Sequence, residues 1–150
     1  MSMEAPPFQL APPIALLSLL LPPLLLLLST TGAAAAPNTE ALSVLCNGAS
    51  YGAGDPFAAS LAYVLSELVA ATPSRTPAAG AGRDFYDISP YATAFAYGHA
   101  ACRAALDAAG CAACLRSAVA QMADSCGHSV GARAVLVDCS VRYEQYAFVD

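Results

Sequence analysis

The chain has 150 residues, of which 57% are hydrophobic, and its six basic residues stand against eleven acidic ones for a net charge of −5. This length has room for one domain. All six basic residues are arginines scattered along the chain, so the sequence lacks the clustered positive charge that binds nucleic acid or an anionic membrane surface. We expect neither as a partner of the mature protein.

Residues 1–36 are predicted to be a signal peptide. An apolar run of about 15 residues, interrupted by Pro22 and Pro23, is shorter than the roughly 20 that a membrane-spanning helix needs. Small residues follow up to Ala36, so an A-x-A cleavage site lies after Ala35 or Ala36. The alternative is an uncleaved membrane anchor. The prediction places one domain at residues 37–150 and the protein in the extracellular space.

The first predicted elements are a strand over 39–45 and a helix. Asp55 is expected to cap the helix with Pro56 at its first position, and the helix is expected to stop at Thr72 and Pro73. Its apolar residues recur at helical spacing and predict a buried face: Phe57, Leu61, Val64, Leu65 and Leu68.

The second half predicts strands over 85–89 and 91–101, separated by Pro90, then a helix over 111–126 ended by Gly127. One or two strands follow within 131–146. The prediction of a strand over 91–101 depends on aromatic and polar residues that alternate at period two. This order of elements predicts an α+β fold with an antiparallel sheet and helices on one side.

Six cysteines follow the predicted leader, and an even number in a small exported domain indicates a disulfide framework. We expect three disulfides and no free thiol. Two other interpretations were weighed: a redox C-x-x-C at Cys111 and Cys114, and a zinc site that adds Cys126 and His128. The redox motif is disfavoured because the other four cysteines would then need separate partners, and the zinc site is disfavoured because export oxidises such thiols. The spacing alone does not choose among the possible pairings.

The cysteine spacing C-x8-C-x2-C at Cys102, Cys111 and Cys114 continues with x11 to Cys126 and x12 to Cys139. Two further stretches stand in register with it, Gly-Ala-Arg at 131–133 and Tyr-Glu-Gln at 143–145. Together they resemble the ginkbilobin-homologous domain of plant stress-antifungal and cysteine-rich secretory proteins over roughly residues 39–148. The resemblance implies two helices packed on a five-stranded antiparallel sheet and the disulfides Cys46–Cys126, Cys102–Cys111 and Cys114–Cys139.

The same resemblance implies a mannose-binding site formed by Asn47, Arg133 and Glu144. An amide, a guanidinium and a carboxylate suit a sugar, because together they donate to and accept from vicinal hydroxyls. The alternative is structural: Asn47 is a turn residue, and Arg133 and Glu144 form a weak surface ion pair. Arg142 is then a competing partner for Glu144 on the same strand face.

We therefore expect a secreted, lectin-like antifungal or defence protein that binds mannose or mannan of the fungal cell wall. The alternative is an apoplastic protein-interaction module, a soluble relative of cysteine-rich receptor-like kinase ectodomains. Enzymatic activity, a cofactor and a metal are not expected. Only His99 and His128 could act as bases near neutral pH, and Asp84 and Asp87 are expected to be solvated loop acids.

Overall fold

The computed structural model describes residues 35–77 and 80–150. The predicted signal peptide lies almost wholly outside these residues, and the predicted domain boundary stays a prediction. One antiparallel sheet of five strands has the order β1-β4-β5-β3-β2. Its strands are β1 (Ala41–Cys46), β2 (Arg83–Ile88), β3 (Tyr97–Cys102), β4 (Ala132–Leu136) and β5 (Cys139–Glu144). With the helices α1 (Pro56–Ala71) and α2 (Ala108–Cys126) on one face, the predicted fold class is confirmed.

The first helix agrees with its prediction at both ends. The Asp55 side chain accepts a hydrogen bond from the Phe57 amide at 2.9 Å, and Pro56 occupies the first turn. A 3-10 turn, Thr72–Ser74, ends the helical stretch. That stretch, Pro56–Ser74, has the length and composition of a membrane span, a test that core helices also pass. Here its apolar side is buried against β2 and β3.

The second helix begins three residues before the predicted start. The Asp107 side chain accepts a hydrogen bond from the Gly110 amide at 2.6 Å and so caps the helix at Ala108. The prediction began at Cys111 because it did not use this cap. The helix ends as predicted at Gly127, whose φ of 52° is a conformation that glycine adopts without strain.

The predicted strand over 91–101 is wrong in its first half, because residues 90–96 form a loop. Ser89 closes this loop: its amide donates to the Ala96 carbonyl at 2.9 Å, and its hydroxyl accepts from the Ala96 amide at 3.0 Å. The Ser60 hydroxyl of α1 donates to the Ala94 carbonyl. The backbone groups thus bond across the loop and to α1, and the alternation of aromatic residues there does not report a strand.

Three disulfides fasten α2 to the sheet. They join Cys46 of β1 to Cys126, Cys102 of β3 to Cys111, and Cys139 of β5 to Cys114, which is the pairing that the family resemblance implies. Cys111 and Cys114 are not bonded to each other, so the redox C-x-x-C interpretation is wrong. Each native bridge in a small domain typically contributes about 2–4 kcal/mol to stability.

The face of the sheet away from the helices carries a row of side chains in register across all five strands. Leu45, Arg133, Arg142, His99 and Tyr86 are successive cross-strand neighbours. Their sequence neighbours on β3, β4 and β5 are buried in the core beneath α1 and α2. Because side chains alternate along a strand, this row must lie on the helix-free face.

Asp84 and Asp87 were expected in a loop, but both lie in β2. Three residues apart on a strand, they point to opposite faces of the sheet. The two carboxylates therefore cannot act as a glycosidase pair.

Gly98 of β3 offers a test of the packing between α1 and the sheet. A Cβ at this position would lie 2.3 Å from Val64 Cγ1 and 2.8 Å from Leu68 Cδ1, and both residues are fully buried. We expect Gly98→Ala to lower the free energy of unfolding by about 1–3 kcal/mol, because overpacking a core displaces its side chains. Denaturant unfolding measures the loss. Gly52→Ala, which adds a Cβ with no atom within 4 Å, should be within about 1 kcal/mol of wild type.

Candidate functional site

The three predicted site residues line one cleft of about 350 Å³. It lies on the helix-free side, where β1 ends and β4 begins. Asn47 follows β1, Arg133 is the second residue of β4, and Glu144 is the last residue of β5. The structure thus brings together residues that are far apart in sequence.

Hydrogen bonds of both the backbone and the side chain hold Asn47 in place. Its amide donates to the Gly131 carbonyl at 2.8 Å, which extends the β1–β4 pairing by one residue. Its Oδ1 accepts from the Ala49 amide at 3.1 Å, as in an Asx turn. Asn47 is therefore a turn residue, but the turn uses only the side-chain acceptor Oδ1. Within the described residues, the side-chain NH₂ donates to no other group.

Ser129 fixes this corner, and the sequence analysis did not identify it. Its buried hydroxyl lies 2.7 Å from the Asn47 carbonyl and 2.8 Å from the Gly131 carbonyl, and its own carbonyl accepts from the Tyr143 hydroxyl at 3.0 Å. Burial raises the pKa of Tyr143 to about 12, so this donor keeps its proton at physiological pH. These bonds set the position of Asn47 relative to β4.

Glu144 forms its ion pair with Arg142, not with Arg133. Glu144 Oε1 accepts from Arg142 Nη2 at 3.2 Å and from Nε at 3.3 Å. The pair forms because residues i and i+2 of a strand lie on the same face. The predicted Arg133–Glu144 ion pair is wrong, and the competing partner Arg142 is the observed one.

The second carboxylate oxygen of Glu144 packs on Gly131. Its Oε2 is buried and has no hydrogen-bond partner in the part of the chain that the structure describes. A Cβ on Gly131 would lie 1.9 Å from this oxygen, so only glycine leaves room for it. A buried carboxylate oxygen without a donor is costly, so Glu144 occupies this position at an energetic cost.

Arg133 is exposed, and among the described residues it forms no ion pair and no side-chain hydrogen bond. It lies directly opposite Arg142 on β5. Like charges opposite each other are normally unfavourable, but the two carboxylates that bind Arg142 offset its charge. The Arg133 guanidinium therefore keeps all its donors for a ligand.

Arg142 also connects the cleft to Asp150, whose carboxylate accepts from Arg142 Nη1 at 2.7 Å and faces His99 Nδ1 at 2.8 Å. The hydrogen bond that Arg142 donates to Asp150 raises the pKa of Arg142, against the opposing effect of burial. Burial alone raises the pKa of Asp150, but the hydrogen bonds from Arg142 and His99 outweigh it, and the net shift is downward. These contacts stabilise the folded state above the unfolded pKa of Asp150 and are lost as the pH falls through its folded pKa.

Two half-exposed apolar side chains border the polar groups of the cleft. Leu45 lies beside Arg133 on the edge strand and is 62% exposed, and Tyr146 follows β5 and is 49% exposed. The cleft therefore combines a few placed polar groups with an apolar border, a usual composition of sites for small organic ligands. In residues 35–77 and 80–150, no cluster of His, Cys, Asp or Glu offers a set of metal ligands.

The fold and the cleft define a disulfide-stapled α+β domain with a polar site at one end of its sheet. The profile of the salt stress response/antifungal family matches residues 45–146, and the chain belongs to this family. Among its relatives is the antifungal protein ginkbilobin-like protein 1 of Picea glauca, 35% identical over 118 residues that cover 75% of this chain and 77% of the relative. The antifungal protein ginkbilobin-2 of Ginkgo biloba is 33% identical, with 75% and 81% covered.

Two solved structures share the fold. The tandem DUF26 ectodomain of the Arabidopsis thaliana cysteine-rich receptor-like protein PDLP5 superposes with a TM-score of 0.62 and 26% identity over 73% of this chain. The corresponding ectodomain of PDLP8 gives a TM-score of 0.57 and 27% identity over 72% of this chain. The chain spans 52% of the first ectodomain and 46% of the second.

Gly131 tests the position of the Glu144 carboxylate. We expect Gly131→Ala to displace this carboxylate from the sheet and to lower the free energy of unfolding by about 1–3 kcal/mol, because the added methyl group overlaps a buried oxygen. Denaturant unfolding measures the cost, and a crystal structure of the variant shows the displaced side chain. Gly48→Ala is the control beside Asn47, since no atom lies within 4 Å of its added Cβ. An unmoved Glu144 in the Gly131 variant would contradict the packing argument.

Proposed function

We propose that this chain is a secreted, non-catalytic defence protein that binds mannose-type sugars of fungal cell walls through Asn47, Arg133 and Glu144. Its relatives from Picea glauca and Ginkgo biloba are antifungal proteins, which supports the defence role. All six cysteines are held in disulfides and offer no thiol nucleophile, which supports a role in binding.

The observation that carries the proposal is that three groups with unused hydrogen-bonding capacity border one cleft. Among the described residues, the Asn47 amide and the Arg133 guanidinium donate to no other side chain, and Glu144 presents a carboxylate with unused acceptor capacity to the same cleft. Vicinal hydroxyls of a pyranose both donate and accept, and they can satisfy all three groups together. The observed Arg142–Glu144 ion pair accounts for one oxygen of Glu144 but gives Arg133 no role.

The apolar border suits the other face of the sugar. A pyranose ring presents C–H groups between its hydroxyls, and the exposed Tyr146 ring and Leu45 offer apolar surface beside the polar groups. We expect weak binding of the monosaccharide: net gains of about 0.5–1.5 kcal/mol per hydrogen bond make a millimolar Kd plausible. A mannan chain would bind more tightly through many copies of the sugar.

The predicted export of the protein supports the same proposal. Three disulfides persist in oxidising compartments, and the predicted signal peptide of residues 1–36 supplies the route to the apoplast. The predicted mature domain is then residues 37–150.

The second candidate is a protein-interaction module. The likeness to receptor-like ectodomains favours it, as do the exposed side chains Tyr86 and Ile88 on the edge strand β2. These side chains lie at the opposite edge of the sheet from Asn47. Variants of the two surfaces therefore separate the candidates.

Arg133→Ala and Asn47→Ala test the sugar site. Both side chains are exposed, so we expect each variant to keep its thermal midpoint within a few degrees while mannose binding falls below detection. An NMR titration with D-mannose and a mannan pull-down measure binding. Glu144→Ala should also abolish binding, but its buried ion pair with Arg142 makes a loss of stability part of the result.

Arg116→Ala is the matched control, because Arg116 is an exposed arginine on α2, on the other side of the sheet. It should bind like the wild type. If the Arg133 and Asn47 variants bind mannan as well as this control does, or if the wild type binds no sugar at millimolar concentration, the sugar site is refuted. Loss of a protein partner on Ile88→Ala would then favour the interaction module.

A further inference from the structure

The segment of residues 145–150, which follows β5, lies against the helix-free face of the sheet. The Asp150 amide donates to the Tyr86 hydroxyl at 3.0 Å, on the far edge strand. The Phe148 ring lies under the Arg142 guanidinium at 4.1 Å. With the carboxylate contacts to Arg142 and His99, these interactions fasten the segment to three strands, β2, β3 and β5. We call this set of contacts the latch.

His99 is the buried centre of the latch, with only 7% of its surface exposed. Its Nδ1 lies 2.8 Å from Asp150 Oδ2 and its Nε2 lies 3.0 Å from Asp84 Oδ2, while the Tyr86 ring stacks on the imidazole at 4.0 Å. Both acceptors are carboxylate oxygens, so each ring nitrogen must carry a proton to donate. A neutral imidazole carries one proton, and both bonds form together only with the imidazolium.

Arg142 belongs to both the latch and the cleft. Its Nη1 is held by Asp150, and its Nε and Nη2 both point at one oxygen of Glu144. Oε2 of the same carboxylate is enclosed against Gly131. Asp150 therefore fixes the Arg142 guanidinium, which in turn fixes the Glu144 carboxylate through Oε1.

We infer that His99 and Asp150 are positioning residues for the sugar cleft, and that protonation of His99 strengthens mannose binding by fixing Arg142, which in turn fixes the Glu144 carboxylate. This inference rests on the proposed function. It adds regulation by pH to a site in which residues other than His99 and Asp150 contact the sugar.

The direction of the effect follows from the groups that face His99. Asp84 and Tyr86 face it from β2, Arg142 from β5, and Asp150 from the segment 145–150. Beyond Arg142, Arg133 of β4 also acts on Asp150. With both carboxylates ionised, loss of the His99 proton removes the imidazolium charge and leaves one N–H for two carboxylates, so the charge-assisted bond to Asp150 weakens. The latch loosens, Arg142 fixes the Glu144 carboxylate less firmly, and sugar affinity falls as the pH rises.

The test compares D-mannose binding by NMR titration at about pH 5.5 and about pH 8, the range in which histidines titrate. We expect the wild type to bind about fivefold more weakly at the higher pH, the size of a lost net hydrogen bond. His99→Gln should reduce this dependence to less than about twofold, and Asp150→Asn should weaken binding about tenfold at the lower pH.

His128→Gln and Asp124→Asn are the matched controls. His128 is the other histidine, exposed and outside the latch, and Asp124 is an exposed acid on α2. Both should keep the wild-type affinity and pH profile. A His99→Gln variant with an unchanged profile, or an Asp150→Asn variant with wild-type affinity, overturns the inference.

A second measurement tests this inference independently of the proposed function. The Asp150 amide reports the latch without sugar, because it donates to Tyr86. Its NMR signal should move with pH in the wild type and stay fixed in His99→Gln; a signal that moves equally in both refutes a latch governed by His99. If the wild type binds no mannose at either pH, the proposed function and the effect on affinity both fail, while this amide signal still decides whether His99 controls the segment.

Discussion

The attachment of α2 to the sheet by three disulfides is the constraint on which the rest of the structure depends. The bridges reach β1, β3 and β5, so they fix one helix across most of the sheet and leave the other face open. The bridge at Cys46 acts closest to the cleft, because Asn47 is the next residue and its backbone pairs with Gly131. A residue far upstream in the sequence is thereby held beside β4 and the end of β5.

Within that framework the cleft carries an energetic conflict. Glu144 is buried with one oxygen paired and one unpaired, and Gly131 preserves the space for the unpaired oxygen. A structural role alone would favour an apolar residue here, since a half-satisfied buried carboxylate is less favourable than a packed methyl group. Such violations of packing rules in natural proteins are concentrated at functional sites. The conflict agrees with the proposed role of Glu144 as a ligand.

An element was predicted well where residues within it determine its structure, and poorly where contacts with residues distant in sequence determine it. Asp55, Pro56 and the apolar spacing defined α1, whereas the alternation from Tyr91 to Tyr97 predicted a strand in a segment that instead bonds to Ser89 and α1. The family motifs pointed to residues that the fold does bring to one cleft. They gave no sign of Ser129, whose hydroxyl bonds to backbone carbonyls, or of Asp150, whose role depends on how the last residues cross the sheet. Neither the hydrogen bonds of Ser129 nor the path of residues 145–150 produces a periodic pattern in the sequence.

The three disulfides also differ in how readily a reductant from solvent can reach them. Cys46 is exposed and Cys126 is half-buried, whereas the other four cysteines are buried. Thiol–disulfide exchange requires access of the attacking thiolate to a sulfur, so the bond beside Asn47 is the first to open under mild reduction. Opening it frees the edge strand β1 from α2, although β1 stays paired with β4, while the remaining two bridges still hold α2 to β3 and β5. Partial reduction would therefore disable the cleft before it unfolds the domain.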